Sequence, residues 1–156
     1  MIHANGTIEI ESPHFVITPK TTREDFLAST LFAISEPLNQ NTPWSRYAFK
    51  SINLGCEQFA GDICFCWGNL ASVSLWSMRP DFGEWNINSA SQEAARHYFH
   101  KEFLQRIFAR PPDEKLRFGN DDRDASAVYN FSWGLVCAEQ DAKCGASGII
   151  IKYGEL

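Results

Sequence analysis

His97 and His100 stand three positions apart, with Glu93 one turn upstream, a spacing that gathers side chains on one side of a helix. Two imidazoles and a carboxylate so placed could share a metal ion if a further ligand came from elsewhere. The competing reading is a solvated helix face opposite an apolar stripe at Phe99 and Phe103, and the pattern favours it. The five cysteines, Cys56, Cys64, Cys66, Cys137 and Cys144, are odd in number and irregularly spaced. A thiol nucleophile needs a base, and no local pattern joins Cys137 or Cys144 to His3, His14, His97 or His100. Cys137 also falls on the apolar side of its strand, where a thiol is inert. Cys64 and Cys66 share one strand face as small hydrophobes, with no second cysteine pair to complete a zinc site.

The carboxylates Asp121, Asp122 and Asp124 cluster in a segment that contains glycine. Glycoside hydrolysis needs two acids held rigidly on opposite sides of one bond, and adjacent loop acids do not meet that need. They do suit contacts with Arg and Lys of a partner, where charge adds to association rate and specificity. No glycine-rich phosphate loop, paired-cysteine zinc motif or nucleophile elbow occurs. The expectation is therefore no catalytic residue, no metal and no cofactor. Binding is favoured over catalysis.

Composition bounds the remaining classes. The chain has 156 residues, 44% hydrophobic and 21% charged, enough to bury a core without disulfides or metal. Its formal net charge of −5 disfavours direct nucleic-acid binding, which needs a basic surface, and favours encounter with a basic partner. The opening Met-Ile-His-Ala-Asn-Gly does not read as a secretory signal, and no apolar run is long enough to span a membrane. Reduced thiols and a cytoplasmic location are expected.

The elements that must position these residues read as an α+β fold. It is a single domain over 1–156, a mainly antiparallel sheet with one long helix packed on it and a short N-terminal helix. Strands are expected at Thr7–Glu11 and Phe15–Thr18. Thr21 with Glu24 fits a capping box for a short helix beginning near Thr22. Residues 35–46, rich in Pro and Asn, read as loop, and Tyr47–Leu54 as strand. Asp62–Trp67 and Leu70–Trp76 flank Gly68-Asn69, which suits a type II′ hairpin turn. That turn pairs Cys66 with Ala71 and Cys64 with Val73. Cys64, Cys66, Ala71, Val73 and Leu75 then lie under a helix, and Ile63, Phe65, Trp67, Leu70 and Trp76 on the other face.

The long helix is expected from Ala90 to Phe108, with Ser89 and Gln92 as a capping signature and Arg110-Pro111-Pro112 as its stop. Residues 113–126 read as loop. Tyr129–Ala138 reads as one strand. Gly148–Tyr153 reads as a central strand, because three successive isoleucines suit burial on both faces, and the two form a hairpin. Most of the 12 phenylalanines belong to the core, whereas exposed tryptophans would mark an interface. Trp44, Trp67, Trp76 and Trp85 are the candidates.

Phe15-Val16-Ile17-Thr18 followed by Thr21-Thr22-Arg23-Glu24-Asp25-Phe26-Leu27 resembles the opening of small bacterial proteins of uncharacterised or immunity type. So does the closing pattern Phe131-Ser132-Trp133-Gly134, Asp141, Ile149-Ile150-Ile151-Lys152-Tyr153. About a third of the chain carries the likeness, and the segment from Asp113 to Ser126 has no counterpart in it. The resemblance implies a cytosolic immunity protein that binds and blocks a cognate toxin domain, for example a basic nuclease. The contacts assigned to that partner are Asp121, Asp122 and Asp124, with Glu84 and Trp85 as loop contacts. Two other classes stay open. A small enzyme predicts a concave pocket with polar groups of perturbed pKa, and an adaptor subunit predicts an exposed apolar patch.

Overall fold

The computed structural model describes residues 1–82, 90–116, 125–140 and 146–154. Glu84, Trp85, Asp121, Asp122, Asp124, Cys144 and Ser89 lie outside the described residues. The fold is α+β. Its main sheet is built from β3 (Ser35–Asn39), β4 (Trp44–Leu54), β5 (Glu57–Cys66), β6 (Asn69–Ser77), β7 (Glu114–Leu116), β8 (Ser126–Phe131), β9 (Gly134–Gln140) and β10 (Ser147–Tyr153). These eight strands run antiparallel in the order β3-β4-β5-β6-β10-β9-β8-β7. Two four-stranded meanders, each in chain order, therefore meet at β6 and β10, and α2 (Ala90–Phe108) lies between them in sequence. A separate two-stranded hairpin, β1 (Ile8–Ile10) with β2 (Phe15–Ile17), and the helix α1 (Arg23–Leu27) precede the sheet.

Strand alternation assigns each residue to a face. Phe59, Ile63 and Phe65 of β5 pair with Ser77, Val73 and Leu70 of β6. Leu75 and Val73 pair onward with Ile149 and Ile151 of β10. All these apolar side chains are buried in one core. From α2, Phe103 meets Phe59 and Phe108 meets Tyr129. From α1, Phe26 meets both Tyr47 and Phe65. Ile2, Ile8, Ile10 and Ile17 join the same core. The N-terminal hairpin and both helices thus cover one face, and no helix among the described residues covers the other.

Several expectations shift by a residue or an element. The β5–β6 turn is Trp67-Gly68, not Gly68-Asn69: Cys66 pairs with Asn69, and both turn residues have positive φ, 51° and 82°, as a type I′ turn requires. A register shift between Cys64 and Phe65 then places Ser72 opposite Cys64. Cys64 and Cys66 consequently lie on the open face with Ser74 and Trp76, while Ile63, Phe65, Leu70, Val73 and Leu75 face the helices. A one-residue slip in pairing changes which face a side chain takes, and here Ile63, Cys64, Phe65, Cys66 and Leu70 exchange faces relative to the expectation while Val73, Leu75 and Trp76 keep theirs.

Residues 35–39 form an edge strand rather than loop, and an edge is where a strand tolerates Pro37. The expected single strand Tyr129–Ala138 is instead the β8–β9 hairpin. Ser132-Trp133 make its turn, and Gly134, which follows at φ 146°, runs so close to β10 that a Cβ would lie 2.0 Å from the Lys152 carbonyl oxygen. Asp113–Ser126, expected as loop, contributes β7. The helix α1 is capped by Thr22 with Asp25, one position later than the expected Thr21 and Glu24. The long helix spans the expected Ala90–Phe108, and β10 is central as expected. Among the described residues no helix is long and apolar enough to cross a membrane.

Candidate functional site

The polar face of α2 is buried. Glu93, His97 and His100, at successive turns, meet Ser147 of β10, and Arg96 is buried beside them against Glu93 and the Phe82 carbonyl. This corrects the expectation of a solvated face for His97 and His100. Hydrogen bonds fix the rings. The Ser77 backbone N–H can only donate, so His100 Nε2 accepts from it at 3.2 Å and Nδ1 carries the proton. That Nδ1–H donates to Ser147 Oγ at 3.0 Å. The hydroxyl is then left to donate to His97 Nδ1 at 3.4 Å, and His97 Nε2–H donates to the Ala125 carbonyl at 3.2 Å. The relay ties α2 to β6, β10 and the start of β8.

Burial, with the neighbouring His97 and Arg96, lowers the His100 pKa to about 3, so the ring stays neutral at ordinary pH. Beside it, Glu93 Oε2 accepts from the Ser147 backbone N–H at 2.8 Å while Oε1 pairs with Arg96 Nη1. Arg96 Nη2 donates to the Phe82 carbonyl at 3.2 Å. The expected histidine pair with Glu93 thus exists, but it is organised around a hydroxyl and two backbone groups. No cluster of three or more His, Cys, Asp or Glu among the described residues is placed to hold a metal. Ser147 is fully buried and both rings are engaged, so the set lacks the open position a reacting atom needs. Burial, reinforced by Glu139, pushes the Cys137 thiol up to about 12, and Cys64 is raised by burial as well.

The open face carries the exposed features. At one end of the sheet the β5–β6 turn holds Trp67 out, 74% exposed, in a left-handed backbone conformation. A bulky L-residue there costs about 1 kcal/mol, and Trp67 recovers none of it by burial. Its N–H bonds the Pro43 carbonyl at 2.9 Å, and the next residue, Trp44, sits across from Cys66 and is also exposed. Two residues along β4, Arg46 grips the buried Asp62 through two hydrogen bonds of 2.8 and 2.6 Å. The Asp62 contact raises the Arg46 pKa.

Beside the end of β6, where the chain leaves the sheet, lies a groove of about 960 Å³. Its apolar wall is Leu38, Ala48, Ala60, Trp76 and Met78, and its charged groups are Lys50, Arg79 and Arg96. Alanines on two neighbouring strands keep the floor low between larger side chains. The sequence pattern held a signal for this, two small residues at outward positions of adjacent strands, but only the correct register places them side by side. Of the four tryptophans singled out, Trp44 and Trp67 are exposed and Trp76 lines the groove. Comparison with known proteins finds no matching family, no similar curated protein and no similar solved structure.

Proposed function

We propose that this chain acts by binding another protein, as an immunity-type inhibitor that occludes a cognate toxin domain in the cytoplasm. The observation that carries the reading is Trp67. A type I′ turn is best made by Asn-Gly, yet the tip carries a tryptophan that is strained, exposed and without a packing role. Interface energy concentrates in such residues, and Trp44 beside it widens the apolar contact. The residue types that could do chemistry support the same reading, because His97, His100, Ser147 and Glu93 hold one another in the interior. A net charge of −5 favours a basic target, such as a nuclease domain. In this proposal Asp121, Asp122, Asp124, Glu84 and Trp85 supply further contacts.

The test is capture from the source cells by the tagged chain and, in parallel, by its Trp67→Asn variant, with bound chains identified by mass spectrometry. A basic polypeptide held in equal amount by the wild type and lost by the variant, and whose toxicity the wild type suppresses, is the expected result. Equal capture by both chains would remove the hairpin tip from the interface. Recovery of the wild-type chain alone would overturn the inhibitor reading.

A further inference from the structure

The groove beside the end of β6 has a character distinct from the hairpin tip. We propose that it is a binding site for a small amphipathic carboxylate, a single-chain organic acid whose apolar body lies on Ala48, Ala60, Trp76 and Met78 and whose carboxylate meets Arg96. This goes beyond the protein-binding reading and does not depend on it. Its volume of about 960 Å³ is that of a site for a small organic molecule.

The charge pattern selects an anion. Of the 14 lysines and arginines in an acidic chain, Lys50, Arg79 and Arg96 line this groove, and no Asp or Glu does so among the described residues. Glu36 and Asp81 pair with Lys50 and Arg79 from outside it, in exposed contacts that water and salt loosen.

Arg96 supplies the specific contact. Its side chain is 2% exposed, Nη1 is bound to Glu93 and Nη2 to the Phe82 carbonyl, and Nε alone has no hydrogen-bond partner. A buried guanidinium N–H without an acceptor is a rare defect in a folded protein, and a ligand oxygen repairs it. One buried, unpartnered N–H beside two exposed cations suits a monoanionic carboxylate. A phosphate ester brings more oxygens than this apolar wall can satisfy.

The test titrates the full chain with decanoate, decanol and decyl phosphate below their aggregation limits, by calorimetry. Decanoate is expected to bind one molecule per chain in the micromolar range, about tenfold tighter than decanol. Ala60→Phe, which fills the groove, should abolish binding with the melting temperature retained, and Arg79→Ala should weaken it several-fold. Arg96→Met removes the unpartnered N–H directly, and the two milder variants keep the test valid if that one does not fold. No decanoate binding, equal affinity for decanol, tighter binding of decyl phosphate, or binding that survives Ala60→Phe would overturn the proposal. So would binding to vesicles of anionic lipid in place of free decanoate, since that would mark a membrane surface.

Discussion

On the helix-covered side of the sheet, Glu93, Arg96, His97, His100 and Ser147 are buried and joined by hydrogen bonds. On the open side, Trp67, Trp44, Leu38 and Met78 meet water. The usual division, polar groups outside and large apolar groups inside, is reversed at both places. The physics differs accordingly. A buried polar network stabilises only when each member is satisfied, so it fixes how α2 docks on β10 and leaves little freedom for reaction. An exposed, strained tryptophan adds little to the stability of the isolated chain, and in the proposed reading a partner covers it. The contrast teaches that residue type alone misplaces the side chains: the chemistry-bearing ones hold the fold, and apolar ones make the exposed surface that the proposed reading assigns to binding.

The largest expected effect breaks the covered side. Glu93→Ala strips the buried Arg96 of its counter-charge and the Ser147 N–H of its acceptor, and should cost about 3–5 kcal/mol of stability in urea unfolding. A loss below about 1 kcal/mol would mean that the network does not hold α2 in place.

Acid should reach the same network next. The folded His100 pKa lies near 3, below the ordinary 6.5, so between those values the unfolded chain binds the extra proton. Its contribution to stability is complete above pH 6.5 and declines as pH falls toward 3, by up to roughly 1.4 kcal/mol per unit. Comparing pH-dependent unfolding of the wild type with His100→Gln isolates this slope, and parallel curves would remove His100 from the account.

On the open side the sign reverses. Trp67→Asn converts the turn to Asn-Gly and should raise stability by about 1 kcal/mol while abolishing partner capture. A variant that lost stability would show that Trp67 serves the fold after all. The smallest effect is at Asp122. Asp122→Lys should leave the melting temperature nearly unchanged and weaken capture, and unchanged affinity would take that acidic segment out of the interface.

Much of the fold was legible in local pattern. The apolar spacing through Phe99, Phe103 and Ile107 marked the long helix, and Ile149-Ile150-Ile151 marked a central strand, because each signal is carried by neighbours along the chain. The hairpin turn was displaced by one residue because Asn69 and Gly68 are both turn formers, whereas a tryptophan at positive φ runs against every local preference. Its placement is decided by cross-strand register, including the shift between Cys64 and Phe65. The histidine cluster was visible as spacing and was set on the wrong side. The stripe at Phe99 and Phe103 implies a wet opposite face only when nothing packs there, and β10 with Ser147 does.

The sequence by itself determined that this is an acidic α+β chain, with strands of alternating polarity, one long helix and an isoleucine-rich strand at the centre of the sheet. Those properties follow from periodicity and composition, which act over a few residues. Only the tertiary structure decided which side of α2 is buried, that Ser147 bridges two histidines about fifty residues away in sequence, and that Ala48 and Ala60 share a groove with Arg96. Such outcomes depend on strand order and register. Both are set by the summed burial of the whole core, and no short stretch of chain contains that sum.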